Sequence, residues 1–203
     1  MVKANIPPVA GLLALQGDFE KHKAALRALG AEVIEVRTED QLELVDALII
    51  PGGESTTMTI LMPDSLRSSL IQFASSHPVW GTCAGMIMLS TTRSDSRVRP
   101  LGLVDLEVER MGFGRQVFSF EGELRLSERL AEHERPFKGF FIRAPRVKEK
   151  SKELEVLAWL NDEPVALIKG NILLTSFHPE LAEDDRFHRF FLSMIDKSSS
   201  RKG

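Results

Sequence analysis

The segment Val79-Trp80-Gly81-Thr82-Cys83-Ala84-Gly85-Met86 decides how the fold of this chain is interpreted. It has the form Gly-x-Cys-x-Gly and joins an apolar strand pattern at residues 79–81 to an apolar helix pattern at residues 84–90. This is the nucleophile-elbow pattern with cysteine in place of serine. The glycines leave room for a sharp turn, which puts the sulfur of Cys83 at a helix N-terminus. The segment therefore predicts an α/β fold with a reactive thiolate.

Strand and helix patterns alternate on the N-terminal side of this segment. Asp18 and Gly30 have the residue types of a helix N-cap and a C-terminal stop around the first helix. Such alternation predicts a parallel sheet with helices on both faces. The patterns place strands at residues 9–15, 32–36 and 47–50, and helices at residues 19–29 and 66–74.

The C-terminal half is predicted to add antiparallel strands and a last helix. Strand patterns cover residues 103–109, 121–126, 139–142, 155–160, 164–168 and 172–176, and the helix covers 184–196. Asn161-Asp162 has the composition of a hairpin tip. The predicted fold class is α/β, a single three-layer domain over residues 1–203 with a mostly parallel, flavodoxin-like sheet and additional antiparallel strands. Its core would span about residues 9–196, and residues 198–203 would form a flexible tail.

Composition limits the class of partner. The 203 residues carry a formal net charge of −3 without a long basic run, which argues against nucleic acid as the main partner. The apolar stretches are too short to span a bilayer, and no signal-peptide pattern is seen, so no membrane partner is expected. With one cysteine no disulfide framework is possible, which favours a cytoplasmic location. No cysteine or histidine cluster has metal-ligand spacing, so neither a metal nor an organic cofactor is expected.

A cysteine nucleophile needs a base, and His178 is the best candidate among five histidines because it follows a strong strand pattern. The i, i+2 spacing in His178-Pro179-Glu180 would put both side chains on one side of an extended segment, where Glu180 could orient the imidazole. An ordinary polar turn is the alternative interpretation. His22 is expected to be half exposed on its helix, and His188 is expected on the surface of the last one.

The segment Pro51-Gly52-Gly53-Glu54-Ser55-Thr56 follows the third strand pattern. Adjacent glycines let backbone N–H groups approach a ligand closely. A phosphate-binding loop is excluded because no Gly-Lys-Ser/Thr follows. The loop therefore fits a substrate contact and an oxyanion donor, which would act with the backbone N–H of Ala84.

These motifs resemble a known family. Gly-Thr-Cys-Ala-Gly together with Ser-Phe-His-Pro-Glu resembles the class I (triad) glutamine amidotransferases. Residues 13–17, 51–57 and 109–110, with Phe113-Gly114-Arg115-Gln116 and Phe141-Ile142-Arg143-Ala144-Pro145, resemble the glutaminase subunits of pyridoxal 5′-phosphate synthase, the PdxT or SNO family. The resemblance runs from about residue 9 to residue 194, and the last two motifs are the ones that point to this family.

The resemblance implies a role for each matching residue. Cys83 would be the nucleophile, His178 the base and then the acid, and Glu180 the orienting group. Glutamine would contact Gly53, Glu54, Ser55, Arg110, Ile142 and Arg143. The oxyanion hole would comprise Gly52, Gly53 and Ala84. Gln16 would lie beside that loop and help to switch it when a partner docks. Met111 departs from the family pattern, where a polar residue such as Asn is expected.

The implied function is hydrolysis of L-glutamine to L-glutamate and ammonia. The ammonia would pass to a (β/α)8-barrel synthase subunit, which would combine it with a pentose phosphate and a triose phosphate to build pyridoxal 5′-phosphate. Three alternatives stay open. The chain could serve another synthase, such as imidazole glycerol phosphate synthase; it could be a small cysteine hydrolase or peptidase; or it could be a non-catalytic subunit.

Overall fold

The computed structural model of the chain describes residues 7–17, 19–92, 95–113, 119–130 and 135–195. The strands are β1 Val9–Leu13, β2 Glu32–Val36, β3 Ala47–Ile50, β4 Val79–Thr82, β5 Leu106–Glu109, β6 Ser119–Leu126, β7 Phe137–Ile142, β8 Arg146–Lys150, β9 Glu155–Leu160, β10 Glu163–Lys169 and β11 Ile172–Thr175. The helices are α1 Glu20–Ala28, α2 Glu39–Leu42, α3 Ser55–Leu61, α4 Asp64–Phe73, α5 Ala84–Leu89 and α6 Arg186–Ser193, and a 3-10 turn spans Pro179–Leu181.

The main sheet has the strand order β2-β1-β3-β4-β11-β10-β9-β6-β7. Its first five strands are parallel, in the flavodoxin-like order, and the remaining strands extend it in antiparallel pairs. Strands β5 and β8 form a separate antiparallel pair. The predicted fold class, with antiparallel strands added late in the sequence, is confirmed.

The sheet separates two hydrophobic clusters, because successive side chains of a strand point to opposite faces. Along β3, Leu48 and Ile50 join the cluster that contains side chains of α3, α4 and α5. Ala47 and Ile49 join the cluster that contains Leu26 of α1 and side chains of α6. Helices therefore cover both faces, which gives the three layers that the sequence predicts.

Two predicted chain reversals are present. Helix α1 ends at Ala28 and is followed by Gly30, whose φ is +84°, and the N–H of Ala31 reaches the carbonyl of Leu26 at 3.1 Å. This six-to-one bond is the Schellman arrangement that glycine favours. Asn161 has φ +54° at the tip of the β9–β10 hairpin, as its residue type predicts. Asp18, the expected N-cap, and the expected tail at residues 198–203 lie outside the described residues.

Three elements were not predicted: α2, α3 and β8. Helix α3 has a weak helical pattern because its first residues include two threonines, and β-branched side chains disfavour helices. Strand β8 reads Arg-Val-Lys-Glu-Lys, so it lacks the apolar alternation that marks a strand. Strand β5 begins at Leu106, three residues later than expected. These differences leave the layer order unchanged.

Candidate active site

The predicted site residues lie at the carboxyl ends of the parallel strands. Gln16 follows β1, Gly52 follows β3, Cys83 follows β4 and His178 follows β11. In open α/β sheets this edge is where ligands bind. The sheet topology therefore brings together segments that are far apart in the sequence.

Cys83 lies in the strained turn that the sequence predicts. Its φ is +48°, which is unusual for a residue with a side chain, and its N–H donates to the carbonyl of Thr175 on the neighbouring strand at 2.8 Å. A Cβ at Gly81 would lie 2.5 Å from the carbonyl carbon of Gly85, and a Cβ at Gly85 would lie 1.9 Å from the carbonyl oxygen of Ile50. Gly81 is therefore required for α5 to pack this closely on β4, and Gly85 for α5 to pack this closely on β3.

His178 is fixed at both its backbone and its ring. Its N–H donates to the carbonyl of Phe140 in β7 at 2.8 Å, and its Nδ1 lies 2.7 Å from Oε1 of Glu180. The expectation of an extended segment was wrong, because Pro179–Leu181 forms a 3-10 turn. The turn folds Glu180 back towards the imidazole, so the two side chains meet although their backbone is not extended. With Nδ1 bound to the carboxylate, Nε2 is the nitrogen left for Cys83.

The charges of this pair depend on each other. Burial lowers the pKa of His178, but hydrogen bonds with Cys83 and Glu180 outweigh it and raise the pKa to about 10. Burial would raise the pKa of Glu180, yet His22 and His178 hold it well below its usual range. His178 therefore carries a proton at neutral pH, beside the carboxylate of Glu180 and next to the sulfur of Cys83.

A cavity of about 170 Å³ opens beside the sulfur, and this small size favours a small substrate. All the predicted site residues except Gln16 line it: Gly52, Gly53, Glu54, Ser55, Cys83, Ala84, Arg110, Ile142, Arg143, His178 and Glu180. The wall also includes Ile87 and Met111, which were not predicted. The sulfur of Cys83 lies 3.7 Å from the carbonyl oxygen of Ile142, so the antiparallel extension of the sheet forms one wall.

The side chain of Gln16 contacts the backbone of the glycine loop. Its Oε1 accepts the N–H of Glu54 at 3.2 Å. Gly53 has φ +135°, and a Cβ there would lie 2.4 Å from Nε2 of Gln16. The conformation of the loop therefore depends on the side chain of Gln16, which lies beside the loop as predicted.

Charged groups surround the mouth of the cavity. Glu54 lies between two guanidinium groups: Arg143 Nη1 is 3.2 Å from its Oε1, and Arg110 Nη2 is 3.6 Å from its Oε2. Arg110 also forms an ion pair with Asp95, a residue that the sequence did not single out. This ion pair holds the side chain of Arg110 where it lines the cavity.

The expectations for His22 and His188 were wrong. Both are buried, with exposed fractions of 0% and 1%. His22 Nε2 lies 3.2 Å from Oε2 of Glu180, and His22 Nδ1 lies 3.0 Å from Nε2 of His188. Burial is the main cause that lowers the pKa of His188 to about 3, so this imidazole is neutral. The carboxylate of Glu180 is therefore contacted on both of its oxygens.

The backbone conformation of Met111 shows why its departure from the family pattern matters for stability. Its φ is +53°, in the left-handed region where a long side chain is disfavoured and asparagine is tolerated. Replacing Met111 by Asn is expected to raise the free energy of unfolding by about 0.5–1 kcal/mol, measured by urea denaturation. Met111→Leu, which keeps the strain, should change it little. A lower stability of Met111→Asn than of Met111→Leu would contradict this account.

Two negative findings apply to the described ranges only. In those ranges no group of three or more histidine, cysteine, aspartate or glutamate side chains is placed to hold a metal ion. None of the helices found there is long and apolar enough to cross a membrane. Gly114, Arg115 and Gln116 of the Phe-Gly-Arg-Gln motif lie outside these ranges.

The sequence is similar to those of known proteins. The family model described as the SNO glutamine amidotransferase family matches residues 12–197. The chain is 46% identical to pyridoxal 5′-phosphate synthase subunit PdxT of Thermosipho africanus, over 92% of this chain and 98% of that protein. It is 49% identical to the PdxT subunit of Dehalococcoides mccartyi, over 91% of this chain and 95% of that protein.

Comparison of structures gives the same fold. A crystal structure of a glutamine amidotransferase superimposes with a TM-score of 0.84 at 44% identity, covering 92% of this chain and 98% of the other. A putative GMP synthase subunit from Thermoplasma acidophilum superimposes with a TM-score of 0.70 at 15% identity, over 95% and 96% of the two chains, which shows the fold only.

Proposed function

The chain belongs to the SNO glutamine amidotransferase family, and on that premise we propose that it hydrolyses glutamine at Cys83 and delivers the ammonia to a pyridoxal 5′-phosphate synthase. One observation carries the proposal. Cys83, His178 and Glu180 line a single cavity, with His178 Nδ1 2.7 Å from Glu180 and the His178 side chain interacting with Cys83. This is the geometry of a nucleophile, a base and an orienting carboxylate.

The charged mouth of the cavity supports an amino acid as the substrate. The α-carboxylate of glutamine would bind the guanidinium groups of Arg110 and Arg143, which present planar donors to carboxylates. The α-ammonium would bind Glu54. The hydroxyl of Ser55 is buried and has no hydrogen-bond partner in the described part of the chain, so a polar ligand group would satisfy it. The side-chain amide would then point towards Cys83.

The first half of the reaction forms a thioester. The Cys83 thiolate attacks the side-chain carbonyl carbon of glutamine, and the negative charge moves to the carbonyl oxygen. The N–H of Ala84 and the Gly52-Gly53 loop would stabilise this oxyanion. Protonated His178 gives its proton to the amide nitrogen, the C–N bond breaks, and ammonia leaves. A γ-glutamyl thioester and a neutral His178 remain.

The second half regenerates the enzyme. Neutral His178 takes a proton from water, whose oxygen attacks the thioester carbon. The C–S bond then breaks, which releases glutamate with its new carboxyl group and restores the thiolate beside protonated His178. No group outside this chain is required for either proton transfer.

Control by a partner follows from the oxyanion loop. Loss of one oxyanion donor costs roughly 3–4 kcal/mol of barrier, so a small movement of Gly52-Gly53 switches the activity. Gln16, whose side chain fixes the Glu54 N–H, is the residue through which docking would act. We propose the (β/α)8-barrel synthase subunit as that partner, and as the ammonia acceptor. A cytoplasmic location is consistent with a free catalytic thiol.

The identity of the ammonia acceptor is tested by measuring glutamate release from the chain alone and after mixing with candidate synthase subunits. The expected result is strong stimulation by the pyridoxal 5′-phosphate synthase subunit, because docking would complete the oxyanion hole. The synthase subunit of imidazole glycerol phosphate synthase serves as the control. Stimulation only by this control subunit would refute the proposed acceptor.

A further inference from the structure

A buried pair of histidines lies behind the triad, on the side away from the substrate cavity. Glu180 uses one carboxylate oxygen, Oε1, for His178 at 2.7 Å. The other, Oε2, lies 3.2 Å from Nε2 of His22 in helix α1. His22 in turn contacts His188 of helix α6 at 3.0 Å. The reaction described above gives no role to either histidine.

We propose that His22 is a positioning residue for glutamine hydrolysis: its Nε2 lies 3.2 Å from Oε2 of Glu180, and this buried polar contact keeps the imidazole of His178 turned towards Cys83. This inference rests on the proposed function. A carboxylate bound at one oxygen only can rotate about its side chain, and the imidazole that it orients would rotate with it. A hydrogen bond at Oε1 and an ion-pair contact at Oε2 together restrain the carboxylate plane.

The protons of the cluster can be assigned from its contacts. His22 Nε2 has two acceptors within reach, Glu180 Oε2 at 3.2 Å and Thr82 Oγ1 at 3.4 Å. The carboxylate oxygen is nearer and charged, so it makes an ion-pair contact with His22, whereas the geometry of a hydrogen bond is met only towards Thr82. With the proton on Nε2, His22 Nδ1 is free to accept, and it takes the Nε2–H of His188. His188 therefore donates to His22, and the Nε2–H of His22 points towards Thr82 and the adjacent Oε2 of Glu180.

The far end of the cluster supports this direction. His188 Nδ1 is buried and has no hydrogen-bond partner in the part of the chain that the structure describes. As an unprotonated nitrogen it leaves no buried N–H unpaired, whereas the opposite direction would bury an unpaired donor there. Trp80 packs edge-on against both imidazoles, with ring centroids 5.6 Å and 5.1 Å away, so both rings are packed against the indole.

The cluster also links three segments that are distant in sequence. His22 belongs to α1, His188 belongs to α6, and Glu180 lies on the 3-10 turn. Both histidines are fully buried, so their contacts are part of the packing between these segments. The orientation of Glu180 is therefore set by the core and does not depend on solvent-exposed groups.

The matched variants His22→Gln and His22→Asn test the inference. The glutamine amide nitrogen falls near the Nε2 position and can still donate to Glu180. The asparagine amide falls near Nδ1, so it can meet His188 but does not reach the carboxylate. Both substitutions are polar and of similar cost to folding, which is checked by thermal melting. His77→Asn, a histidine stacked on Phe73 in another part of the molecule, is the control.

For each variant the test measures kcat and KM for glutamine in the complex with the synthase subunit. It also measures the rate at which iodoacetamide alkylates the single cysteine. His22→Asn is expected to lower kcat by about 10-fold to 100-fold with KM nearly unchanged, and to slow alkylation. His22→Gln should stay within a few-fold of the unchanged chain. Equal kcat in the two variants, whether high or low, would overturn the inference. Absence of glutamine hydrolysis by the unchanged chain in its complex would instead refute the proposed function.

Discussion

Replacing Cys83 by alanine is expected to lower kcat for glutamine hydrolysis by on the order of 10⁴-fold or more, measured in the complex with the synthase subunit. The sulfur supplies the covalent step, and no other cysteine exists in the chain to replace it. The side chain is small and nearly buried, so the fold should survive its truncation.

Two controls accompany this variant. Its melting temperature and its binding to the synthase subunit, measured by gel filtration, should match those of the unchanged chain. Cys83→Ser should also be strongly impaired, because a hydroxyl gives up its proton far less readily than a thiol. Undiminished glutamate release by Cys83→Ala would show that the reaction does not proceed through this residue.

Replacing Gly85 by alanine is expected to reduce the free energy of unfolding by about 3 kcal/mol and to abolish glutaminase activity. The new Cβ would lie 1.9 Å from the carbonyl oxygen of Ile50, which is backbone and cannot rotate away. Helix α5 would have to move relative to β3, and Cys83 and Ala84 at its start would move with it. Urea denaturation and a glutaminase assay measure the two effects.

Gly102→Ala is the matched control. Gly102 has φ +70°, but a Cβ there would meet no atom within 4 Å. Its replacement should cost only about 1 kcal/mol, from backbone strain, and should leave activity intact. Equal losses of stability in the two variants would contradict the close packing of α5 against β3.

The nucleophile turn and the parallel half of the sheet could be predicted because their signals are local. The Gly-x-Cys-x-Gly spacing and its flanking apolar runs lie within a dozen residues. The pairing of His178 with Glu180 was also predictable from their i, i+2 spacing, although the backbone proved to be a 3-10 turn. A turn and a strand can both bring such side chains together, so the pattern identified the pair but not its conformation.

The two buried histidines could not be found in this way, because their burial arises from packing between distant helices. A partial signal existed for His188, which lies between Phe187 and Phe191 on a helix whose aromatic side chains pack into the core. Histidine in such a setting looks like a surface residue unless its partner is known. His22 acquires its partner only when α1 packs against the 3-10 turn.

Asp95 was missed for a related reason. Its contact with Arg110 joins two loops that the sequence separates by 15 residues, and neither loop has a periodic pattern. The sequence identified Arg110 through its motif, while the group that aims it became visible only in three dimensions. The residues inside the sequence motifs were identified, whereas Asp95, His22 and His188, which contact those residues from other segments, were not.

The central claim is that Cys83 forms a covalent bond with the side-chain carbon of glutamine. A glutamine analogue with an electrophilic ketone side chain would capture this step, and mass spectrometry of the digested chain would locate it. The account predicts one analogue per chain, attached to the peptide that contains Cys83, with labelling slowed by excess glutamine and lost in Cys83→Ala. Attachment to any other residue, or labelling that persists in Cys83→Ala, would contradict it.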